Sequence, residues 1–218
     1  SLLLRVGPWF RVAGSVLLPM ASAWAGSVQV EVRDAVSGKP LDQAVVYLES
    51  AEARRQVRPL QGVTMAQQKK QFVPAVLVAT VGTEVQFPNL DAVRHHVYSF
   101  SPAKPFELPL YEGTPAAPVR FDRPGVVVVG CNIHDWMIAY LLVVPTPWFA
   151  KTDEQGRATV AAPAGRYRVE IWHPRLSAAL VQEIALPAGD SPGRDFTLSL
   201  KPDRRIRRSG ATKSGGYR

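Results

Sequence analysis

An all-β fold is predicted by three observations on the 218-residue sequence. Between residues 26 and 200 almost no stretch has helical period; short Val-rich or alternating runs recur instead; and 19 prolines and 16 glycines punctuate them. Run 28–32, Val-Gln-Val-Glu-Val, alternates strictly, and run 44–48, Ala-Val-Val-Tyr-Leu, is apolar and rich in β-branched residues. Runs 75–79, 84–87 and 96–100 follow, each bounded by Pro, Gly or polar turn residues. Run 126–130 is four valines and a glycine, 138–144 is continuously apolar or aromatic, and 167–172 and 196–200 alternate again. These nine runs are the expected strands.

Composition narrows the reading. The single cysteine excludes a disulfide-stapled scaffold, and 46% hydrophobic side chains suffice for ordinary cores. The formal charge of +8 is concentrated at the ends. Residues 1–25 contribute Arg5 and Arg11, residues 201–218 contribute seven cations against Asp203, and residues 26–200 hold 17 basic and 17 acidic side chains. A neutral body excludes the basic face that nucleic-acid binding requires, so no nucleic-acid partner is expected.

Both ends have their own character. Residues 1–25 run from a basic start through an apolar middle to Ala23-Trp24-Ala25, the pattern of a secretory signal cleaved after Ala25. Gly7, Pro8, Gly14 and Pro19 interrupt the apolar run short of the ~20 residues of a membrane span. A periplasmic location is therefore expected. Residues 203–218, with four arginines in five positions, have no apolar period and read as a disordered basic tail, able at most to touch anionic membrane surfaces weakly.

Two distant segments belong together. Val28 to Leu48 reads as strand, Gly38-Lys39-Pro40 turn and strand, and Pro163-Ala164-Gly165-Arg166-Tyr167-Arg168-Val169-Glu170-Ile171-Trp172-His173-Pro174 reads as a strand with a His-Pro end. Together they resemble the carboxypeptidase regulatory-like, transthyretin-like β-sandwich family, over about 75 residues in two pieces. The resemblance implies a discontinuous sandwich, residues 27–50 and 151–200, interrupted by an inserted domain at 56–148. A single continuous sandwich is the alternative.

The insertion carries the chemistry. Cys131 ends an apolar run, His134 follows three residues on and Met137 six residues on, and the next apolar run begins at once. A second imidazole stands upstream in Phe87-Pro88-Asn89-Leu90-Asp91-Ala92-Val93-Arg94-His95-His96-Val97. Two imidazoles and a thiolate with a weak thioether suit one copper ion cycling between Cu(I) and Cu(II), whereas structural zinc usually recruits more cysteines. A lone thiol in an exported protein is an oxidation liability unless buried or metallated. His95 and His96 point to opposite faces of a strand, so one of them reaches Cys131; counting from Phe87 favours His95, with His96 as the alternative.

Phe87, Asn89, His95 and Val97, with the spacing Cys131, His134, Met137, make the segment from about Val63 to Val144 resemble the plastocyanin and amicyanin branch of the cupredoxins. The resemblance implies a Greek-key β-sandwich, a type 1 (blue) copper site of His95, Cys131, His134 and Met137, electron transfer with a redox partner protein, and His134 as the electron port. Arg94, His96 and Asp135 depart from the pattern where Pro, Asn and Pro are common, and leave a green or red site, or a storage role, open.

Other residues have plainer readings. Asp91 is either a histidine partner or a solvated carboxylate, Trp136 is ordinary core filling or a cover for the site, and His173 is a structural turn residue. Residues 109–115, with Tyr111 and Gly113, read as a loop. No Ser, His and Asp set or carboxylate pair stands out, so an enzyme is not expected. Copper storage or delivery, and a purely structural binding sandwich, are the competing functions.

Overall fold

The structure, a computed structural model, describes residues 25–202. The expected leader and basic tail lie outside the described residues, except Ala25, which opens the first strand opposite Pro163. Strands are the main regular structure of the described chain, beside one six-residue helix, and are arranged as four main sheets and one hairpin. In the first sheet Ala25–Asp34 lies between Arg157–Pro163 on one side and Gly189–Asp190 and Arg194–Leu198 on the other. The second has the order Phe149–Lys151, Val45–Glu49, Gly165–Trp172, Leu180–Leu186. The third runs Val76–Thr80, Ile138–Val144, Gly125–Gly130, His95–Ser99, Phe106–Tyr111, and the fourth Val119–Phe121, Thr83–Gln86, Val63–Thr64. A hairpin, Ala66–Gln68 and Gln71–Val73, stands apart.

Three apolar layers lie between the four sheets. Val28, Val30, Val32 and Phe196 of the first sheet meet Val46, Leu48, Val169 and Ile171 of the second. Val45, Tyr47 and Trp172, on the other face of the second sheet, meet Val76, Leu142 and Val144 of the third. Leu141, Val143, Val127 and Val97 then pack on Val85, Phe121 and Phe72 of the fourth sheet and the hairpin. Side chains alternate along a strand, so Val45–Glu49 and Leu141 to Val144 are buried on both faces. This is why those two runs are continuously apolar while 28–32, buried on one face, alternates.

The chain passes between the two sheet pairs at adjacent points. It leaves after Glu49 through the short helix Ala51–Gln56, capped by Ser50, whose side chain accepts from the Ala53 N–H. It returns at Thr146, whose hydroxyl donates to the Leu48 carbonyl at 2.6 Å, and Trp148, whose carbonyl accepts from the Leu48 N–H at 2.9 Å.

Beside this crossing the buried Glu49 takes Arg54 and Arg168, and Arg168 also reaches Glu170, which accepts from the Tyr47 hydroxyl. Burial acts to raise the Glu49 carboxyl, but the bonds and charge of Arg168, with the Arg54 bond, outweigh it and hold the group below its ordinary value. A carboxyl depressed in the folded state adds stability above its unfolded pKa, near 4.5, and loses it as pH falls through the folded value. Glu49→Gln is therefore expected to be less stable than the parent at neutral pH. Its stability should fall less steeply below about pH 4.5, the two curves converging in acid. Denaturant unfolding across that range checks it.

Two readings of the sequence need correction. Residues 109–115 are not all loop, because Phe106–Tyr111 is a strand pairing with His95–Ser99. Pro109 is tolerated there because this strand is the edge of its sheet, where a missing N–H breaks no ladder. The six-residue helix Ala51–Gln56 was not signalled either, being too short to show a period.

Candidate metal centre

Strand alternation and one tight loop assemble the site. Along His95–Ser99 the side chains of His95 and Val97 point into the sandwich, while His96 and Tyr98 take the opposite face. The neighbouring strand Gly125–Gly130 ends beside Tyr98, and Cys131 follows directly. A Cβ at Gly130 would stand 3.1 Å from the Tyr98 ring, so a larger residue there needs that ring to give by a few tenths of an ångström. From Cys131 the chain turns back within seven residues to pair Ile138 with Gly130. The turn is closed by the Met137 N–H to the His134 carbonyl at 2.9 Å and the Cys131 N–H to the Met137 carbonyl at 3.3 Å.

One ligand atom each from His95, Cys131 and His134 lies within 4.8 Å of the others. Cys131 Sγ is 4.0 Å from His95 Nδ1, and the His95 and His134 rings are 5.0 Å apart. Cys131 and His95 are buried, and His134 is half-buried. Met137 is buried in the same apolar cluster as Cys131, its backbone bonded to both Cys131 and His134. His96 turns away to Glu107, 2.8 Å from its Nε2, so of the two adjacent histidines His95 is the one placed beside the thiol.

These residues fit a soft metal ion. Among the described residues, Nδ1 of His134 is buried without a hydrogen-bond partner, a condition usually relieved by an ion or water. Burial, then the neighbouring His95 and Lys70, lower the His134 pKa against the opposing pull of Asp91, so the ring is neutral with a free lone pair at neutral pH. Nδ1 of His95 faces the thiol while Nε2 is 2.8 Å from Asp91 Oδ2. The 4.0 Å between Cys131 Sγ and His95 Nδ1 is short enough for both to be ligands of one ion.

The surroundings resolve the open readings of the sequence. Asp91 is a histidine partner and also accepts from the Lys69 and Lys70 N–H groups. Burial tends to raise its carboxyl, but these bonds hold it below the ordinary value. Trp136 is not core filling. It is 57% exposed, with its ring centroid 5.1 Å from that of His134, on the loop between the paired residues Gly130 and Ile138. Tyr111 belongs to the support of the site. Its hydroxyl, pushed up to about 12 first by burial, donates to the Phe87 carbonyl at 2.5 Å and accepts from Gln67. Gln67, fully buried, gave no signal, because it sits in a run of Gln and Lys that reads as solvated. His173 lies at a turn, its Nδ1 accepting from the Arg175 N–H at 3.2 Å.

No family model matches the sequence, and no curated protein matches it. Among solved structures, the chain is similar to a copper-containing nitrite reductase from Thermus scotoductus SA-01, at 29% identity over 40% of this chain and 23% of that one, with a TM-score of 0.36. It is similar to a purple cupredoxin from Nitrosopumilus maritimus, at 22% identity over 38% of this chain and 99% of that one, TM-score 0.34. A reduced Cu(I) form of an amicyanin variant matches at 22% identity over 47% of this chain and 100% of that one, TM-score 0.36. The matched part is thus less than a quarter of the nitrite reductase chain.

Proposed function

We propose that the protein is an exported copper protein that carries electrons to or from a redox partner, holding one ion with His95, Cys131, His134 and Met137. The observation that carries this reading is the convergence of one ligand atom each from His95, Cys131 and His134 within 4.8 Å, with the buried Nδ1 of His134 lacking a hydrogen-bond partner among the described residues. Copper bound there supplies a one-electron Cu(I)/Cu(II) couple. The chain's contribution is rigidity. His95 is held within a paired strand, Cys131 directly follows one, and the backbone bonds of residues 131–137 close the loop, so the ligand atoms move little when charge changes. Val97, Val129 and Leu141 exclude water from the inner side. His134, half-buried beside the exposed Trp136, is the ligand nearest solvent and the point where a partner gains access.

The test is a visible and electron paramagnetic resonance spectrum of the copper-loaded chain, followed by voltammetry. Intense thiolate-to-copper absorption with a reversible couple is the expected result. A colourless Cu(II) complex would sink the reading, and an irreversible couple would favour storage or delivery.

A further inference from the structure

The turn of the hairpin Ala66–Gln68 and Gln71–Val73 is unusual. Lys69 and Lys70 both have left-handed backbone angles, φ 52° and 55°. Two successive positive φ values match the twist of a hairpin, but asparagine and glycine normally supply them, since a Cβ is crowded there. The turn is held from outside. Asp91 Oδ1 accepts from the Lys69 N–H at 2.6 Å and Oδ2 from the Lys70 N–H at 2.8 Å. Two backbone bonds of 2.8 Å, Gln67 N–H to the Pro88 carbonyl and Leu90 N–H to the Gln67 carbonyl, join the hairpin to the same loop.

Asp91 Oδ2 is also 2.8 Å from Nε2 of the fully buried His95. A carboxylate already receiving two N–H groups acts there as an acceptor, so Nε2 carries the imidazole proton. The lone pair is then left on Nδ1, which lies 4.0 Å from Cys131 Sγ.

We propose that Asp91, anchored by the Lys69–Lys70 turn, is a positioning residue that selects the Nε2–H tautomer of His95 and presents Nδ1 to the Cys131 side before any metal arrives. The inference deepens the copper reading and rests on it only for the identity of the ion. A carboxylate that merely held the turn would have no influence on where the His95 proton sits.

Asp91→Ala separates the two roles. It removes the acceptor that faces Nε2, so nothing at position 91 holds the imidazole proton there, with no change of net charge on the ring. The measurement is imidazole nitrogen-15 NMR on the metal-free full chain at about pH 8, above the ordinary histidine range, with a Cu(I) competition titration alongside. The parent should show His95 as Nε2–H. Asp91→Ala should raise the Nδ1–H population and weaken Cu(I) binding by about 10–100-fold. The double variant Lys69→Gly, Lys70→Gly keeps both N–H donors while relieving the left-handed strain, and should retain the parent tautomer and affinity. An Nδ1–H tautomer in the parent overturns the proposal without recourse to any variant, as does an unchanged tautomer in folded Asp91→Ala. Absence of copper binding by a parent chain that shows the Nε2–H tautomer would overturn the copper reading while supporting the positioning role.

Discussion

Cys131→Ser is expected to abolish the thiolate-to-copper absorption and to weaken Cu(I) binding by at least about 100-fold, more than loss of a group behind a ligand usually does. The reason is electronic rather than steric. Serine has nearly the shape of cysteine, but its hydroxyl is not deprotonated near neutral pH and lacks the soft sulfur that favours Cu(I). Cys131 is only 3% exposed and packs in the third apolar layer, so the fold should survive with a penalty of about 1–2 kcal/mol for burying a hydroxyl. Circular dichroism should give a cooperative melt lowered by only about 2–8 °C. Unchanged colour in a folded Cys131→Ser protein would refute the assigned role of the thiol.

Gly156→Ala is expected to cost at least about 3 kcal/mol and to lower Tm by roughly 6–12 °C. Gly156 has φ +72°, where a Cβ alone costs about 1–2 kcal/mol. A methyl group there would also penetrate the Val32 carbonyl oxygen and stand 3.1 Å from the Leu41 nitrogen. Neither neighbour can yield. Val32 donates its N–H to the Gly156 carbonyl at 2.8 Å and its own carbonyl accepts from Leu41 at 2.9 Å, so all three are parts of one backbone network. Gly38 provides the control, with φ +67° and, its own chain neighbours apart, no atom of the described residues within 4 Å of where its methyl group would stand. Gly38→Ala should show the conformational penalty without the clash. Equal losses at the two positions in thermal melts would mean that the crowding at Gly156 contributes nothing.

Much of the fold was legible because strand formation leaves a local mark. The alternation at 28–32 and 167–172 corresponds to strands within Ala25–Asp34 and Gly165–Trp172, and the four valines at 126–129 to Gly125–Gly130. Elements with weak local marks were missed. Gln71–Val73 and Val63–Thr64 are too short to show alternation, and Phe106–Tyr111 contains a proline that only an edge position excuses. The continuous apolar runs at 44–48 and 138–144 were legible as strands, but not as strands covered on both sides. That depends on the second and third sheets packing together through Val45, Tyr47, Leu142 and Val144.

The candidate site divides in the same way. Cys131, His134 and Met137 lie on one short loop, so their spacing and chemistry, and the expectation of a soft metal, follow from the sequence by itself. Which of two adjacent histidines joins them does not. That choice depends on which face of His95–Ser99 turns inward, and the packing of Val97 against Leu141 and Phe121 decides it. The roles of Asp91, Tyr111 and Gln67 are likewise set by tertiary structure, because their hydrogen bonds reach across loops and strands and leave no periodic trace. Sequence alone determines what is encoded within a few neighbouring residues, namely strand pattern, turn chemistry and the thiol, imidazole and thioether of one loop. Tertiary structure decides whatever requires two distant segments to meet: the faces that are buried, the histidine that is chosen, and the groups that hold it in place.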